Sequence, residues 1–93
     1  MMNKKVVREH GKRLQKTAME MFRKDVKFWL RGEVNDRYEM LRITASDVAA
    51  LLEIGQLLIE GNTKKASHMA YGLDTAVRDE IPLSVYNFLS KVL

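Results

Sequence analysis

Seven basic side chains, Lys12, Arg13, Lys16, Arg23, Lys24, Lys27 and Arg31, follow one another at steps of one, three, four and seven residues. On a helix turning 100° per residue these steps gather on one side, forming a row of cations of the kind that pairs with phosphates and releases their counterions. Glu9 and Glu20 lie within the row and weaken its field. Lysine and arginine are also common on solvated helix backs, so the row alone does not separate a contact surface from a solubility feature. Its setting adds weight. Residues 1–31 hold ten basic and three acidic residues, a net +7, whereas the remainder holds six basic and nine acidic, a net −3. Charge segregated in this way creates a local field that attracts phosphate, an anionic surface or an acidic protein patch.

Other chemistries find little support. His10 and His68 are far apart and belong to no HExxH pattern, so neither implies a metal. The absence of cysteine removes disulfides, thiolate nucleophiles and cysteine-ligated zinc or iron–sulfur centres. No glycine-rich phosphate loop or dinucleotide fingerprint occurs. The acidic pair Asp79-Glu80 precedes Ile81-Pro82, where it favours a following helix through the dipole. Asp25 falls among Met21, Phe22 and Trp29 on an otherwise apolar face, where a carboxylate needs a partner such as Arg37, Arg42 or Arg78, or a place at the rim. The expectation is binding rather than catalysis, with no cofactor, no metal and no small-molecule substrate.

The elements that position these residues are helices. From Asn3 to Arg31 only Gly11 interrupts a run of good helix formers. Val7, Leu14, Ala18, Met21, Phe22 and Trp29 share one face of this helix, with Val26 and Phe28 on its shoulders and the cationic row behind. At roughly 1.5 Å per residue it is about 43 Å long, far beyond the radius of gyration of about 12 Å of a domain this size. Either Gly11 bends it or its first two turns overhang. Gly32 supplies a C-terminal stop, and residues 33–43 suit a short helix, with an extended piece as the alternative. Thr44-Ala45-Ser46-Asp47 offers N-cap oxygens and a first-turn acid to an apolar, central helix over Val48 to Glu60. Gly61-Asn62-Thr63 then makes a tight αα-hairpin, with Ala66, Met69, Ala70, Leu73 and Val77 at helical spacing beyond it. Ala49 and Gly55 on one arm and Ala66 and Ala70 on the other permit close packing. Ile81-Pro82 breaks the second arm, and Leu83 to Val92 forms a last amphipathic helix.

Two stretches are similar to known motifs. Ile43-Thr44-Ala45-Ser46-Asp47-Val48-Ala49-Ala50-Leu51-Leu52 resembles the first helix of an excisionase or MerR-type helix-turn-helix, which implies DNA binding; the continuation Glu53-Ile54-Gly55-Gln56-Leu57-Leu58-Ile59 departs from it by staying apolar where a turn and a polar reading helix should follow. Leu51, Ile54-Gly55, Leu58, Gly61, Ala66 and Leu73 are similar to a tetratricopeptide hairpin, with a turn one residue short and a late proline. In size, lysine-rich start and absence of cysteine the chain also resembles the small accessory proteins of bacteriophages, which implies binding to nucleic acid or to a host protein.

The reading is an all-α domain over residues 1–93, a small bundle of four helices, or five if residues 33–43 form one. A long basic amphipathic helix (1–31) precedes a three-helix body (46–93). Its first expected function is contact with nucleic-acid phosphates through Lys12, Arg13, Lys16, Arg23, Lys24, Lys27 and Arg31, with little sequence preference. The alternative is a protein-interaction or inhibitory module acting through an apolar rim of Phe28, Trp29, Leu30 and Met40 on an acidic or apolar protein surface, with self-association into a homo-oligomer. No apolar run reaches the length of a membrane span and no signal-peptide core follows the basic start, so a cytoplasmic location is expected.

Overall fold

The computed structural model describes the backbone of residues 3–31 and 45–92 and the side chains of residues 3–24 and 46–92. Asn3 opens the first helix: its Oδ1 accepts the Lys5 N–H at 2.8 Å and its carbonyl accepts the Val7 N–H at 3.1 Å, which satisfies donors that a helix start leaves unpaired. Helix α1 then runs Lys4–Arg31 without a break. It is followed by α2 (Ala45–Ile59), α3 (Thr63–Tyr71), the single turn α4 (Thr75–Arg78) and α5 (Leu83–Val92), with no strand among the described residues. The expected short helix over 33–43, the stop at Gly32 and the cap at Thr44 lie outside the described residues.

Packing closes a ring. α1 lies on α2, α2 on α3, α3 on α5, and α5 returns to α1. Leu14, Leu51, Ile54, Leu58, Val85 and Leu89 are the large side chains fully enclosed within it. Helix α2 carries the most of these because it touches neighbours on two sides, which is why its sequence is apolar almost all round. It continues past Leu51-Leu52, where a helix-turn-helix would bend, so the likeness to that motif ends within one helix.

The α1–α2 crossing is made by two glycines. A Cβ placed on Gly11 would come within 2.5 Å of the Gly55 carbonyl oxygen, and one on Gly55 within 2.9 Å of the Gly11 oxygen and 2.6 Å of Gln15 Cγ. Gln15 lies over this contact, its Nε2 donating to the Leu52 carbonyl and to Gln56 Oε1, each at 3.3 Å. The helix runs unbroken through Gly11, which lets a second backbone touch the first. Gly55 faces α1 rather than the hairpin, and of the small residues expected between the hairpin arms Ala66 and Ala70 are buried while Ala49 is exposed.

The same contacts set the register. With Gly11 against Gly55 and Gln15 reaching Leu52, the helices run antiparallel and Ala45 comes level with about Met21. The first two turns of α1 consequently do not overhang: Val7 is buried, and with Lys4 and Arg8 it borders Leu58 to Gly61. The end that continues beyond α2 is the C-terminal one.

The hairpin turn has the expected chemistry. Gly61 takes φ +85°, the Asn62 N–H donates to the Leu57 carbonyl at 2.8 Å and the Gly61 N–H to the Leu58 carbonyl at 3.0 Å, a Schellman ending for α2. The Asn62 side chain then caps α3 through the Lys65 N–H. The second arm is shorter than its apolar spacing suggests. It stops at Tyr71, Gly72 takes the last carbonyls, and Asp74 with extended backbone (ψ 149°) restarts the chain as α4, which still buries Val77. Spacing continued through this gap because both helices bury residues in the same core. Buried Ser67 ties the arm to α5 by donating to the Leu89 carbonyl at 3.1 Å, in a last turn where carbonyls lack intrahelical donors.

Replacing Gly11 or Gly55 by alanine restores about 1 kcal/mol of helix propensity but separates the backbones. Chemical denaturation should show either variant less stable by about 1–3 kcal/mol net. Gly72 has room, with its nearest Cβ neighbours at 3.5 and 3.6 Å, and a φ of −81°. Gly72→Ala should leave stability unchanged or raise it by up to about 1 kcal/mol; equal damage at all three glycines would contradict the crossing.

Candidate functional site

Burial of Val7, Gly11, Leu14 and Ala18 fixes which side of α1 faces water. The opposite side carries Lys5, Lys12, Lys16 and Arg23 in one line, all exposed, with Glu9 and Glu20 between them. From Lys5 to Arg23 the line is about 27 Å long at roughly 1.5 Å per residue. Lys24 is also exposed, toward the α5 side. Among the described residues Lys12, Lys16, Arg23 and Lys24 take part in no ion pair. Arg13 differs: its Nη1 donates to Ser84 Oγ at 2.7 Å, in the first turn of α5. The side chains of Lys27 and Arg31, the apolar rim Phe28, Trp29, Leu30 and Met40, and the unusual Asp25 lie outside the described residues.

Three cations near the start of α1, Lys4, Lys5 and Arg8, were absent from the set read in the sequence. Lys5 and Arg8 join Lys4, Glu9 and Lys12 around one surface depression of about 410 Å³, extending the row to the helix start. The signal was present: Lys5 precedes Lys12 by seven residues, two helical turns, and so shares its direction.

Where α5 meets α1, the His10 ring stacks on Phe88 with centroids 4.7 Å apart and planes 23° from parallel. Burial against Phe88 and, secondarily, the Arg13 charge push the His10 imidazole below its ordinary value of 6.5. His68 is exposed on α3, and no cluster of three or more metal-ligating side chains forms among the described residues. Asp79 ends α4, and both it and Glu80 are exposed. No helix among the described residues is long and apolar enough to cross a membrane.

A third cluster lies across the molecule. Tyr71 donates to Ser90 Oγ at 2.8 Å, Ser90 donates to the Tyr86 carbonyl at 3.0 Å, and the Arg78 guanidinium sits 5.8 Å from the Tyr71 ring centre. The Tyr71–Ser90 bond joins α3 to α5, and the Arg78–Tyr71 contact joins α4 to α3. Compared with protein-family models, curated proteins and solved structures, the chain matches none.

Because the His10 value is lowered on folding, the unfolded chain binds the extra proton more readily, and stability falls as pH drops through about 6.5 toward the folded value. Denaturation midpoints measured from pH 7.5 to pH 5 should fall more steeply in the wild type than in His10→Gln. Parallel curves would contradict this coupling.

Proposed function

We propose that the protein binds nucleic acid through its phosphates, with the solvent side of α1 as the contact and little preference for sequence. The observation that carries this reading is the straight line of exposed Lys5, Lys12, Lys16 and Arg23, opposite a face already occupied by the core. Cations without ion-pair partners keep their charge available to an incoming phosphate. The line holds no aromatic side chain, so it supplies charge and spacing rather than base stacking. Glutamates at positions 9 and 20 divide the cations into groups, which favours separated phosphate contacts over a continuous sheath of charge.

Binding of a generic DNA duplex and of an RNA hairpin, measured from low to physiological salt with the oligomeric mass determined in the same samples, tests the reading. Four phosphate contacts on a duplex give a slope of log affinity against log salt of about −3 to −4. Lys16→Glu combined with Arg23→Glu should flatten that slope by about 2 and lower affinity at least about tenfold. A complex insensitive to salt would remove the proposal.

A further inference from the structure

The row of cations has one point where it stops being a simple helix face. Beside it, on the surface of α1, a depression of about 350 Å³ is lined by Val6, Glu9, His10, Lys12, Arg13 and Lys16. Three cations of the row thus border one concave space together with an imidazole. Two of the four groups are held in place: Arg13 by Ser84 Oγ, and His10 by its stack on Phe88.

We propose that this depression is a phosphate seat, which takes one phosphoryl group between Arg13, Lys12, Lys16 and His10. The inference rests on the nucleic-acid reading for its expected ligand, a backbone phosphate, although its chemistry would also accept free inorganic phosphate. A guanidinium already tied at one Nη loses less freedom when it meets an anion than an unrestrained lysine does, and its remaining N–H groups can still donate in a fork. The stack on Phe88 likewise restrains the imidazole.

The charge pattern makes the seat responsive to pH. Among the described residues the charged groups around His10 are Glu9, Lys12, Arg13 and Lys16 on its own helix; α5 brings the uncharged Phe88 and Ser84, with Lys91 one turn beyond Phe88. Without a ligand, burial and Arg13 disfavour the imidazolium. A phosphate in the seat reverses that balance, because its negative charge favours the protonated ring. Binding therefore takes up a proton at His10, and affinity rises as pH falls through the His10 range. Glu9 acts in the opposite sense, since it places a negative charge beside the incoming anion.

The test follows the His10 ring signals by NMR in the full chain as pH is varied, alone, with a short DNA duplex and with inorganic phosphate. The duplex should move the His10 midpoint upward, and Glu9→Gln should tighten duplex binding by about two- to fivefold at low salt. Arg13→Gln should weaken it by about fivefold or more, and Arg13→Lys, which keeps charge but loses the fork, should recover only part of the loss. Circular dichroism of each variant confirms that the fold is retained. A duplex complex that ridge variants weaken, but in which the His10 midpoint stays fixed and Arg13→Gln binds like the wild type, would overturn the seat and leave the nucleic-acid reading standing. Failure to bind duplex at any salt, with inorganic phosphate still raising the His10 midpoint, would support the seat as a site for free phosphate and overturn the nucleic-acid reading. No response to either ligand would overturn both.

Discussion

The contact of the Gly11 and Gly55 backbones sets the geometry on which the remaining features depend. Two helices of this length ordinarily keep side chains between their axes, and here the carbonyl oxygen of each glycine lies within 2.5–2.9 Å of where the other's Cβ would be. Glycine in a helix interior costs about 1 kcal/mol relative to alanine, so placing two of them at one crossing is a local sacrifice that close packing offsets. That point fixes the translation of α1 along α2, and it fixes the rotation of α1 as well. Once Gly11 faces α2, Leu14 and Ala18 must enter the core and Lys5, Lys12, Lys16 and Arg23 must face water. The cationic line is thus a consequence of the crossing as much as of composition.

The rest of the body holds that crossing in place. The Schellman turn at Gly61 folds α3 back on α2, the Ser67 hydroxyl joins α3 to the end of α5, and α5 returns to α1 through His10–Phe88 and Arg13–Ser84. Each joint in this ring is modest, of the order of 1 kcal/mol for a single hydrogen bond. Closure makes them cooperative, because no helix leaves the ring without exposing part of the shared core. The joint between α5 and α1 is also where the structural framework and the cationic surface meet, since Arg13 belongs to both.

Much of this was legible in residue types and spacing. The long first helix, its buried Val7, Leu14 and Ala18, the hairpin at Gly61-Asn62, and the break before Pro82 all follow from local rules: propensity, periodicity, caps and turns. Three readings went beyond what local rules can carry. Gly11 was open to a kink, because a glycine that loosens a helix and one that admits a neighbour have the same sequence signature. Gly55 was paired with the wrong neighbour for the same reason. Leu73 and Val77 looked continuous with α3 because the core draws apolar residues from both sides of the Gly72–Asp74 interruption.

Sequence alone determined that the chain is helical, where its first and last helices run and where the hairpin turns, and that its positive charge is concentrated in the first third, because each of these depends on residues a few positions apart. Tertiary structure decided which end of α1 runs beyond its partner, which cations among the described residues take part in no ion pair, and that Arg13 and His10 are held by α5. Arg13 and Ser84 stand 71 positions apart, a separation that no helical period spans. Only the closing of the ring brings them within hydrogen-bonding distance, and so holds one part of a basic helix face in a partly preorganised arrangement.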